Sequence, residues 1–409
     1  MDLKKIIVDN VEKIDLKKLV PDKLDLKKIL PEKIDFTGFA SDLVATLNAK
    51  FEETGHFNIL ITGKTGVGKS TLINAVFRDK LAETGIGAPV TDEIKVITKK
   101  GVPIRIYDTV GLELDTEKQK KVMAEISQLI NNAKDMSIFE NIHCIWYCVN
   151  VNSSRLEPVE AEFINQLAAT GVPVIIVLTK AFSATETKDL KRYIEGINLN
   201  AKGICPVLAE SYSGSGINVR AYGKVALINL THLVIPDDVK EALEAAQVAD
   251  LSLKRKKANY FISTAVGLAA AQCVNPIPLS DAPILTKIQL SMMASITYVY
   301  GATLEKNDIA KILTIMISTQ GVKVAGITLA NFLKSFVGVG TVAGGAINMM
   351  VATSLTATLG KTYAYIIEEI IGNRLDVENF DKKKWKDSIN KAMKKINSNQ
   401  TLFEFEGAE

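Results

Sequence analysis

The sequence predicts an α/β unit, in which a parallel sheet is covered by helices on both faces, followed by an all-α hydrophobic helical domain. Two observations support this prediction. Apolar strand-like runs alternate with helical stretches in the first half of the chain, as is typical of parallel sheets buried on both faces. After Pro236 the strand pattern stops, and long segments without charge contribute to a mean hydropathy of +0.15. The strand-like runs are residues 57–62, 104–109, 142–150, 172–179 and 204–209.

The composition indicates a folded protein of roughly two or three domains. Of its 409 residues, 47% are hydrophobic and 23% are charged, which excludes general disorder. The 49 basic and 46 acidic residues give a net charge of +3, so we expect no nucleic-acid partner. Four cysteines are too few for a disulfide framework, and MDLKKIIVDN lacks the apolar segment of a signal peptide. We therefore expect a cytoplasmic location, peripheral to a membrane in one alternative.

The chain divides into a series of predicted segments. Residues 1–36 form an N-terminal arm in which DLKKLVPDKL is followed by DLKKILPEKI, and this arm either docks on the body or contacts a partner or membrane. Residues 37–55 form a helix that leads into the α/β domain and packs with the helices after residue 236. The other segments are the α/β domain at 56–235, the hydrophobic helical domain at 236–375 and a basic amphipathic tail at 376–409.

The strongest motif is GKTGVGKS, which follows the strand-like run FNILIT and precedes the helix-like TLINAVF. It matches the phosphate-loop pattern G-x-x-x-x-G-K-[ST] in the required strand–loop–helix context. Glycines let the backbone N–H groups turn toward phosphates, Lys69 would neutralise the β- and γ-phosphates, and the Ser70 hydroxyl would ligate Mg²⁺. The predicted phosphate-binding residues are Gly63, Lys64, Thr65, Gly66, Val67, Gly68, Lys69, Ser70 and Thr71.

Two further segments complete the predicted metal and γ-phosphate site. DTVG ends the run IRIYDT, which places Asp108 where a carboxylate partner of Mg²⁺ belongs and offers the Gly111 backbone N–H to a γ-phosphate. The intervening ETGIGAPVTDEI is either a switch loop or a plain surface loop, and its Thr91 is the best-placed hydroxyl to close over the metal. The predicted metal ligands are Ser70, Thr91 and Asp108, and the predicted catalytic residues are Lys69, Thr91 and Gly111.

In this order, GKTGVGKS, PVT, DTVG and VLTK resemble the Era-like and Ras-like GTPases of the TRAFAC class, with immunity-related and septin-like GTPases nearest in texture. The resemblance covers about residues 55–235. It implies a phosphate-loop domain that binds GTP or GDP with Mg²⁺ and hydrolyses GTP to GDP and phosphate. It also implies that Thr179 and Lys180 support the nucleotide loop and stack on the base.

The chain departs from this family at two positions. The element that reads guanine normally ends in an Asp that accepts hydrogen bonds from the base, but here that position is Phe182. Glu210 is the candidate to accept these hydrogen bonds instead. An ATP-binding protein therefore stays an alternative. Leu112 follows DTVG, where Ras-like enzymes have a glutamine that orients water. Leucine cannot orient water, so we expect slow intrinsic turnover.

The C-terminal third also resembles a known family. Residues 275–301, NPIPLSDAPILTKIQLSMMASITYVYG, are similar to an uncharacterised hydrophobic helical domain found behind Era-like GTPases in bacteria. The uncharged runs 258–280 and 335–360 are long enough to span a membrane but are rich in small and polar residues, so they form either a buried hairpin or a membrane-inserting one. Similarly, the tail helix at 381–396 either docks on its own domain or lies on an anionic membrane through Trp385, Ile389, Met393 and Ile396.

Together these patterns predict a guanine-nucleotide switch. GTP with Mg²⁺ would order the loops around Thr91 and Gly111, and hydrolysis would release them. The expected output is a rearrangement of the helical domain that leads to a homodimer or larger oligomer in the GTP state, or to engagement of a membrane surface. The alternative from another class is a nucleotide-bound membrane-remodelling or structural assembly protein with little turnover.

Overall fold

A computed structural model describes ten stretches of the chain, which form two compact units. The sheet unit comprises the described residues of Phe51–Leu253, and the helical unit comprises the described residues up to Lys50 and from Lys254 onward. The described stretches are residues 37–77, 81, 86–89, 94–109, 116–133, 136–153, 155–214, 217–272, 281–319 and 349–397. The predicted arm at 1–36 and most of the run at 335–360 lie outside them.

The sheet unit contains a seven-stranded sheet in the order β2-β3-β4-β1-β5-β6-β7 and a two-stranded sheet of β8 and β9. From β4 to β7 the neighbouring strands are parallel, whereas β2 and β3 form an antiparallel edge. The strands are β1 (Phe57–Gly63), β2 (Ile86–Pro89), β3 (Ile94–Thr98), β4 (Ile104–Thr109), β5 (Cys144–Asn150), β6 (Val174–Thr179), β7 (Gly203–Pro206), β8 (Tyr212–Gly214) and β9 (Ile217–Val219).

Helices make up most of the remaining regular structure in the described stretches. In chain order they are α1 (Thr37–Thr54), α2 (Lys69–Phe77), α3 (Thr116–Ala133), α4 (Pro158–Ala169), α5 (Ala184–Gly196), α6 (Lys224–Val234), α7 (Lys240–Ala246), α8 (Leu251–Gln272), α9 (Asp281–Tyr300), α10 (Lys306–Thr319), α11 (Met349–Ile371) and α12 (Lys382–Asn397). Short 3₁₀ turns cover Ile138–Glu140, Val151–Ser153 and Asp237–Val239.

The central sheet is buried on both faces, because side chains of successive strand residues point to opposite sides. On β1, Ile59 and Ile61 join one core with apolar residues of α2, α6 and α7. Leu60, between them, joins a second core with residues of α3, α4 and α5. The predicted α/β fold with helices on both faces of the sheet is therefore confirmed, and the sheet is mostly rather than wholly parallel because β3 pairs antiparallel with both β2 and β4.

Two features of the sheet unit differ from the expectations. β2 pairs with β3 from Ile86 to Pro89, so part of the predicted switch loop is an edge strand. The sheet unit also continues to Leu253, beyond the predicted end at residue 235. The reason is that α7 buries Ala242 and Leu243 in the same core as β1.

The helical unit has its own apolar core. Phe39 and Leu43 of α1 pack with residues of α8 to α12, so the helix before the sheet joins those that follow it. The uncharged run beginning at residue 258 contributes buried Ile262 from α8. None of the helices in the described stretches is both long and apolar enough to cross a membrane.

The C-terminal helix α12 docks on this core. Trp385 and Ile389 are 1% and 0% exposed, and the Trp385 indole N–H donates to the Asp376 carbonyl at 3.1 Å. The apolar face that would lie on a membrane is therefore packed inside the protein at these two positions. Ile396 is also buried, whereas the Met393 side chain is outside the described part of the structure.

Ionic and polar side chains are buried among the helices of this unit. Arg255 of α8 forms two hydrogen bonds with the Glu368 carboxylate of α11, at 2.9 and 2.6 Å. The Tyr300 hydroxyl donates to the same carboxylate at 3.1 Å. A buried carboxylate needs such partners, because an unpaired charge in an apolar core is strongly destabilising.

Candidate nucleotide site

The loop between β1 and α2 has the backbone conformation that its glycines predict. Gly63, Gly66 and Gly68 have φ values of 139°, 74° and 101°, in the region that side chains disfavour. Gly63 has a second requirement, since a Cβ there would lie 2.4 Å from the Cys148 carbonyl oxygen of β5. The start of the loop therefore lies against β5, and the loop then leads into the first turn of α2.

Lys69 is positioned by this loop. Its ammonium donates to the carbonyl oxygens of Gly63 at 2.9 Å and Lys64 at 3.3 Å. Ser70 and Thr71 follow on the exposed first turn of α2. The first N–H groups of a helix lack partners within that helix, so this arrangement presents backbone N–H groups, a hydroxyl and an ammonium to an anion.

Asp108 is the penultimate residue of β4, beside this loop, and is in register with Ile61 of β1. Its Oδ1 is buried and accepts no hydrogen bond from any described residue. Burial raises the pKa of the carboxyl, and the charges of Lys69 and Lys95 oppose that rise. A buried carboxylate oxygen with no hydrogen-bond partner among the described residues, next to the strand that leads into the phosphate loop, fits a hard divalent cation.

The other predicted metal and γ-phosphate residues are not among those that the structure describes. Thr91 and Gly111 lie outside the described residues, as does Leu112. Within the described stretches there is no cluster of three or more His, Cys, Asp or Glu side chains that could hold a metal ion. A divalent cation at Asp108 would therefore need hydroxyl, phosphate or water ligands in addition to the carboxylate.

The last residue of β6 and the residue after it support the loop from a second side. The Thr179 hydroxyl lies 2.6 Å from the Val67 carbonyl and 3.1 Å from the Val149 carbonyl. The Lys180 ammonium donates to the Gly66 carbonyl at 2.8 Å. Both residues are thus in contact with the phosphate loop, as the resemblance implies, while their stacking on the base stays a prediction.

Phe182, which stands where the related GTPases have a base-reading Asp, makes an aromatic contact. Phe182 packs on Tyr212 of β8, with 5.0 Å between ring centroids and 45° between planes. The Tyr222 hydroxyl donates to the Ala181 carbonyl at 2.8 Å, and Glu210 is exposed after β7. Neither tyrosine could be found from the sequence, because β8 is a three-residue strand without a clear pattern and Tyr222 pairs with Leu208 only through an isolated bridge.

The motif predicts Lys64 as a phosphate-binding residue, and in the structure its ammonium pairs with a protein carboxylate. Lys64 Nζ lies 2.8 Å from Glu160 Oε2. Glu160, at the start of α4, is 4% exposed and also contacts the Tyr147 hydroxyl at 3.3 Å. In the sequence, Glu160 resembles an ordinary acid of a helical first turn, and nothing there links it to a residue so distant in the chain.

Comparison with known proteins identifies both parts of the chain. Residues 58–180 match the family of 50S ribosome-binding GTPases, and residues 238–398 match a domain of unknown function, DUF697. Rat (Rattus norvegicus) septin-9 is 27% identical over 175 residues, which cover 37% of this chain and 31% of septin-9. Rat septin-12 is 30% identical over 185 residues, covering 39% of this chain and 51% of septin-12. The chain thus spans about a third to a half of these relatives.

Two of the solved structures that the chain matches are a probable GTP-binding protein engB and Cdc11 from Saccharomyces cerevisiae. The first is 21% identical with a TM-score of 0.28, covering 37% of this chain and 89% of engB. The second is 20% identical with a TM-score of 0.29, covering 46% of this chain and 95% of Cdc11.

The family match begins in β1 and ends at Lys180, so it includes the loop, Lys69, Asp108 and Thr179. The matches to septins confirm the predicted resemblance to septin-like members of the TRAFAC class. The helical unit overlaps the second match, in agreement with the predicted resemblance of residues 275–301 to an uncharacterised domain. The chain therefore contains a phosphate-loop GTPase domain followed by a helical DUF697 domain.

Proposed function

We propose that this protein binds GTP with Mg²⁺, hydrolyses it slowly to GDP and phosphate, and uses the cycle to rearrange its helical unit. The observation that carries this proposal is the juxtaposition of Lys69 and Asp108. Lys69 is held on the loop carbonyls, and the nearby Asp108 carboxylate has a buried oxygen that no residue in the described stretches hydrogen-bonds. Opposite charges at the mouth of a phosphate loop support binding of a polyphosphate together with a cation.

Each residue of the site has a distinct task in this proposal. The loop N–H groups and Lys69 bind the phosphates, while Ser70, Thr91 and Asp108 would hold Mg²⁺. A Mg²⁺ ion held by these residues would supply positive charge to offset that of the phosphates. Gly111 donates its N–H to the γ-phosphate and releases it after hydrolysis. Leu112 cannot orient the attacking water, so turnover is slow without an activator.

Guanine preference is supported by the family match, whereas Phe182 leaves the adenine alternative open. Phe182 and Tyr212 offer ring faces, which stack on any base, and a ring face accepts no hydrogen bond from guanine N1–H. Glu210 is the carboxylate that the sequence offers for this task. Base selectivity therefore has to be measured directly.

The output of the cycle is proposed to be self-association or membrane engagement through the helical unit. The matches to septins favour self-association as the first form to test. A structural assembly protein with little turnover is the alternative. Size-exclusion chromatography coupled to light scattering, with GDP and with GTPγS, separates the two proposals. Only the switch predicts that the molar mass of the assembly changes when GTPγS replaces GDP.

Calorimetric titration with GDP, GTPγS and ADP in Mg²⁺, followed by a phosphate-release assay with GTP, tests the nucleotide site. We expect guanine nucleotides to bind without an ADP signal, and Lys69→Ala to abolish binding. Lys188→Ala removes an equal charge from the exposed surface of α5 and should leave binding unchanged. Equal binding of ADP would overturn guanine selectivity, and a folded sample that binds neither would overturn the proposed function.

A further inference from the structure

The phosphate loop is tied to α4 by a buried carboxylate that the GTPase motifs do not include. Glu160 Oε2 accepts from Lys64 Nζ at 2.8 Å and from the Glu157 backbone N–H at 3.1 Å. Glu160 Oε1 accepts from the Tyr147 hydroxyl of β5 at 3.3 Å. One carboxylate thus joins the loop, the central sheet and the start of α4.

The Lys64 side chain is only partly exposed, at 27%, and that of Glu160 is 5% exposed. A charged hydrogen bond in such surroundings is less screened by water than a surface pair, and its loss leaves a charge buried without its partner. In the described part of the chain, it is the one ion pair that involves the loop residues 63–70.

The restraint on Lys64 acts on the atoms that place Lys69. The Lys64 carbonyl accepts from the Val67 N–H at 3.4 Å and from Lys69 Nζ at 3.3 Å. Glu160 fixes the side chain of Lys64, while the Lys64 carbonyl orients the Lys69 ammonium. On the other side of the loop, Thr179 and Lys180 hold the carbonyls of Val67 and Gly66. The loop is therefore supported from both sides.

We propose that Glu160 is a positioning residue for the phosphate loop, acting through Lys64 to preset the loop for nucleotide; this inference rests on the proposed nucleotide function. The rival interpretation is that Lys64 is itself a phosphate ligand. The two interpretations predict opposite effects on nucleotide affinity when the Glu160 carboxylate is removed. If Lys64 binds phosphate, removing the carboxylate frees the ammonium and tightens binding. If Glu160 positions the loop, removing the carboxylate weakens binding.

The test is a double-mutant cycle on the affinity for GTPγS in Mg²⁺, measured by calorimetry. Glu160→Gln and Lys64→Met should each weaken binding about tenfold, as expected for a charged hydrogen bond. The double variant should be no weaker than either single one, because both remove the same interaction. Unchanged or tighter binding by Glu160→Gln, or additive losses in the double variant, would overturn the proposal.

A matched control separates positioning from general destabilisation. Glu368→Gln breaks another buried ion pair, the one that Glu368 forms with Arg255 in the helical unit. It should lower the melting temperature without changing the affinity for GTPγS. If it weakens nucleotide binding as much as Glu160→Gln does, the effect of Glu160 is not specific to the loop and the proposal fails.

A second readout does not depend on nucleotide binding. Hydrogen exchange of peptides covering residues 63–70 should be faster in nucleotide-free Glu160→Gln and Lys64→Met than in the parent protein, with β6 unchanged. Unchanged exchange in the loop would overturn the positioning role. A parent protein that binds no GTPγS, yet shows this change in exchange, would overturn the proposed function and leave the positioning of the loop intact.

Discussion

The Lys180 ammonium donates a hydrogen bond to the Gly66 carbonyl at 2.8 Å, joining two loops separated by 114 positions in the chain. Lys180 itself has a φ of 53°, a conformation that is unfavourable for a lysine. Thr179 adds a contact to the neighbouring Val67 carbonyl. Because these bonds are made within the protein itself, the loop is held in shape in advance, and less ordering is needed when a ligand binds.

Replacing Thr179 by Val should weaken nucleotide binding. Valine has the same shape but cannot donate to the Val67 and Val149 carbonyls, which would remain buried without this partner. We expect GDP affinity to fall about threefold to tenfold, equivalent to about 1 kcal/mol, measured by calorimetry. Thr185→Val, at an exposed position of α5, is the matched control. An unchanged Kd for Thr179→Val would mean that this contact does not hold the loop.

Replacing Asp108 by Asn should affect binding and stability in opposite directions. In the part of the chain that the structure describes, one buried oxygen of this carboxylate has no hydrogen-bond partner, and burial raises the pKa of the group, so its charge costs folding free energy. The Asp108→Asn substitution removes this charge, and we expect a melting temperature equal to or above that of the parent protein. The same change removes a ligand for Mg²⁺, so the gain in GTPγS affinity on adding Mg²⁺ should shrink.

Titration of GTPγS into both proteins, with Mg²⁺ and with EDTA, measures this gain. Asp189→Asn removes a carboxylate from exposed α5 and controls for net charge. A lower melting temperature together with an unchanged effect of Mg²⁺ would show that Asp108 has a structural task instead.

Much of this site follows from local sequence pattern. The phosphate loop is recognisable because a buried strand, positive-φ glycines and a helix N-terminus must occur in that order over a few residues. Asp108 could be placed because it ends an apolar run that has to be a neighbouring strand. These residues are determined by their immediate neighbours, and their positions in the structure agree with that expectation.

Other parts of the site depend on contacts between distant segments. Glu160 is a first-turn acid in the sequence, and its pairing with Lys64 arises only when α4 packs beside the loop. β2 contains Gly87 and Pro89, residues that are rare in strands, so its pairing with β3 overrides local preference. α7 could be assigned to the sheet unit only from the core that it joins.

Stability should fall in mild acid because of His143. Its Nδ1 accepts from the Asn58 N–H and its Nε2 contacts the Ile138 carbonyl, both at 2.8 Å, so the neutral ring uses both nitrogens. Burial lowers the pKa of His143. The unfolded state therefore binds more protons near pH 6, and the stabilisation that is complete above the unfolded pKa of about 6.5 is lost as pH falls below it.

The measurement compares the free energy of urea unfolding of the parent protein and His143→Gln between about pH 7 and pH 5. The difference between them should narrow toward acid, by no more than about 1.4 kcal/mol per pH unit. The pKa of His56 is also lowered, by burial and Arg105, but this contribution cancels in the difference. A difference that stays constant with pH would contradict the assignment.

Breaking the Arg255–Glu368 pair should destabilise the helical unit far more than breaking the neighbouring Arg374–Glu369 pair. The Glu368 and Glu369 side chains are 6% and 13% exposed, but Arg255 is 17% exposed against 52% for Arg374. Glu368→Gln leaves a largely buried guanidinium without its charged partner, so we expect a loss of about 3 kcal/mol. Glu369→Gln loosens a pair that water screens, and it should cost at most about 1 kcal/mol.

Urea unfolding followed by Trp385 fluorescence reads the helical unit directly, provided that Trp146 of the sheet unit is replaced by Phe in every variant. Arg255→Met combined with Glu368→Met should recover most of the stability lost in Glu368→Gln, because two apolar side chains leave no buried charge. If the double Met variant were less stable than Glu368→Gln, the Arg255–Glu368 pair would itself make a large net contribution to stability. Equal losses in Glu368→Gln and Glu369→Gln would show that burial does not distinguish the two pairs.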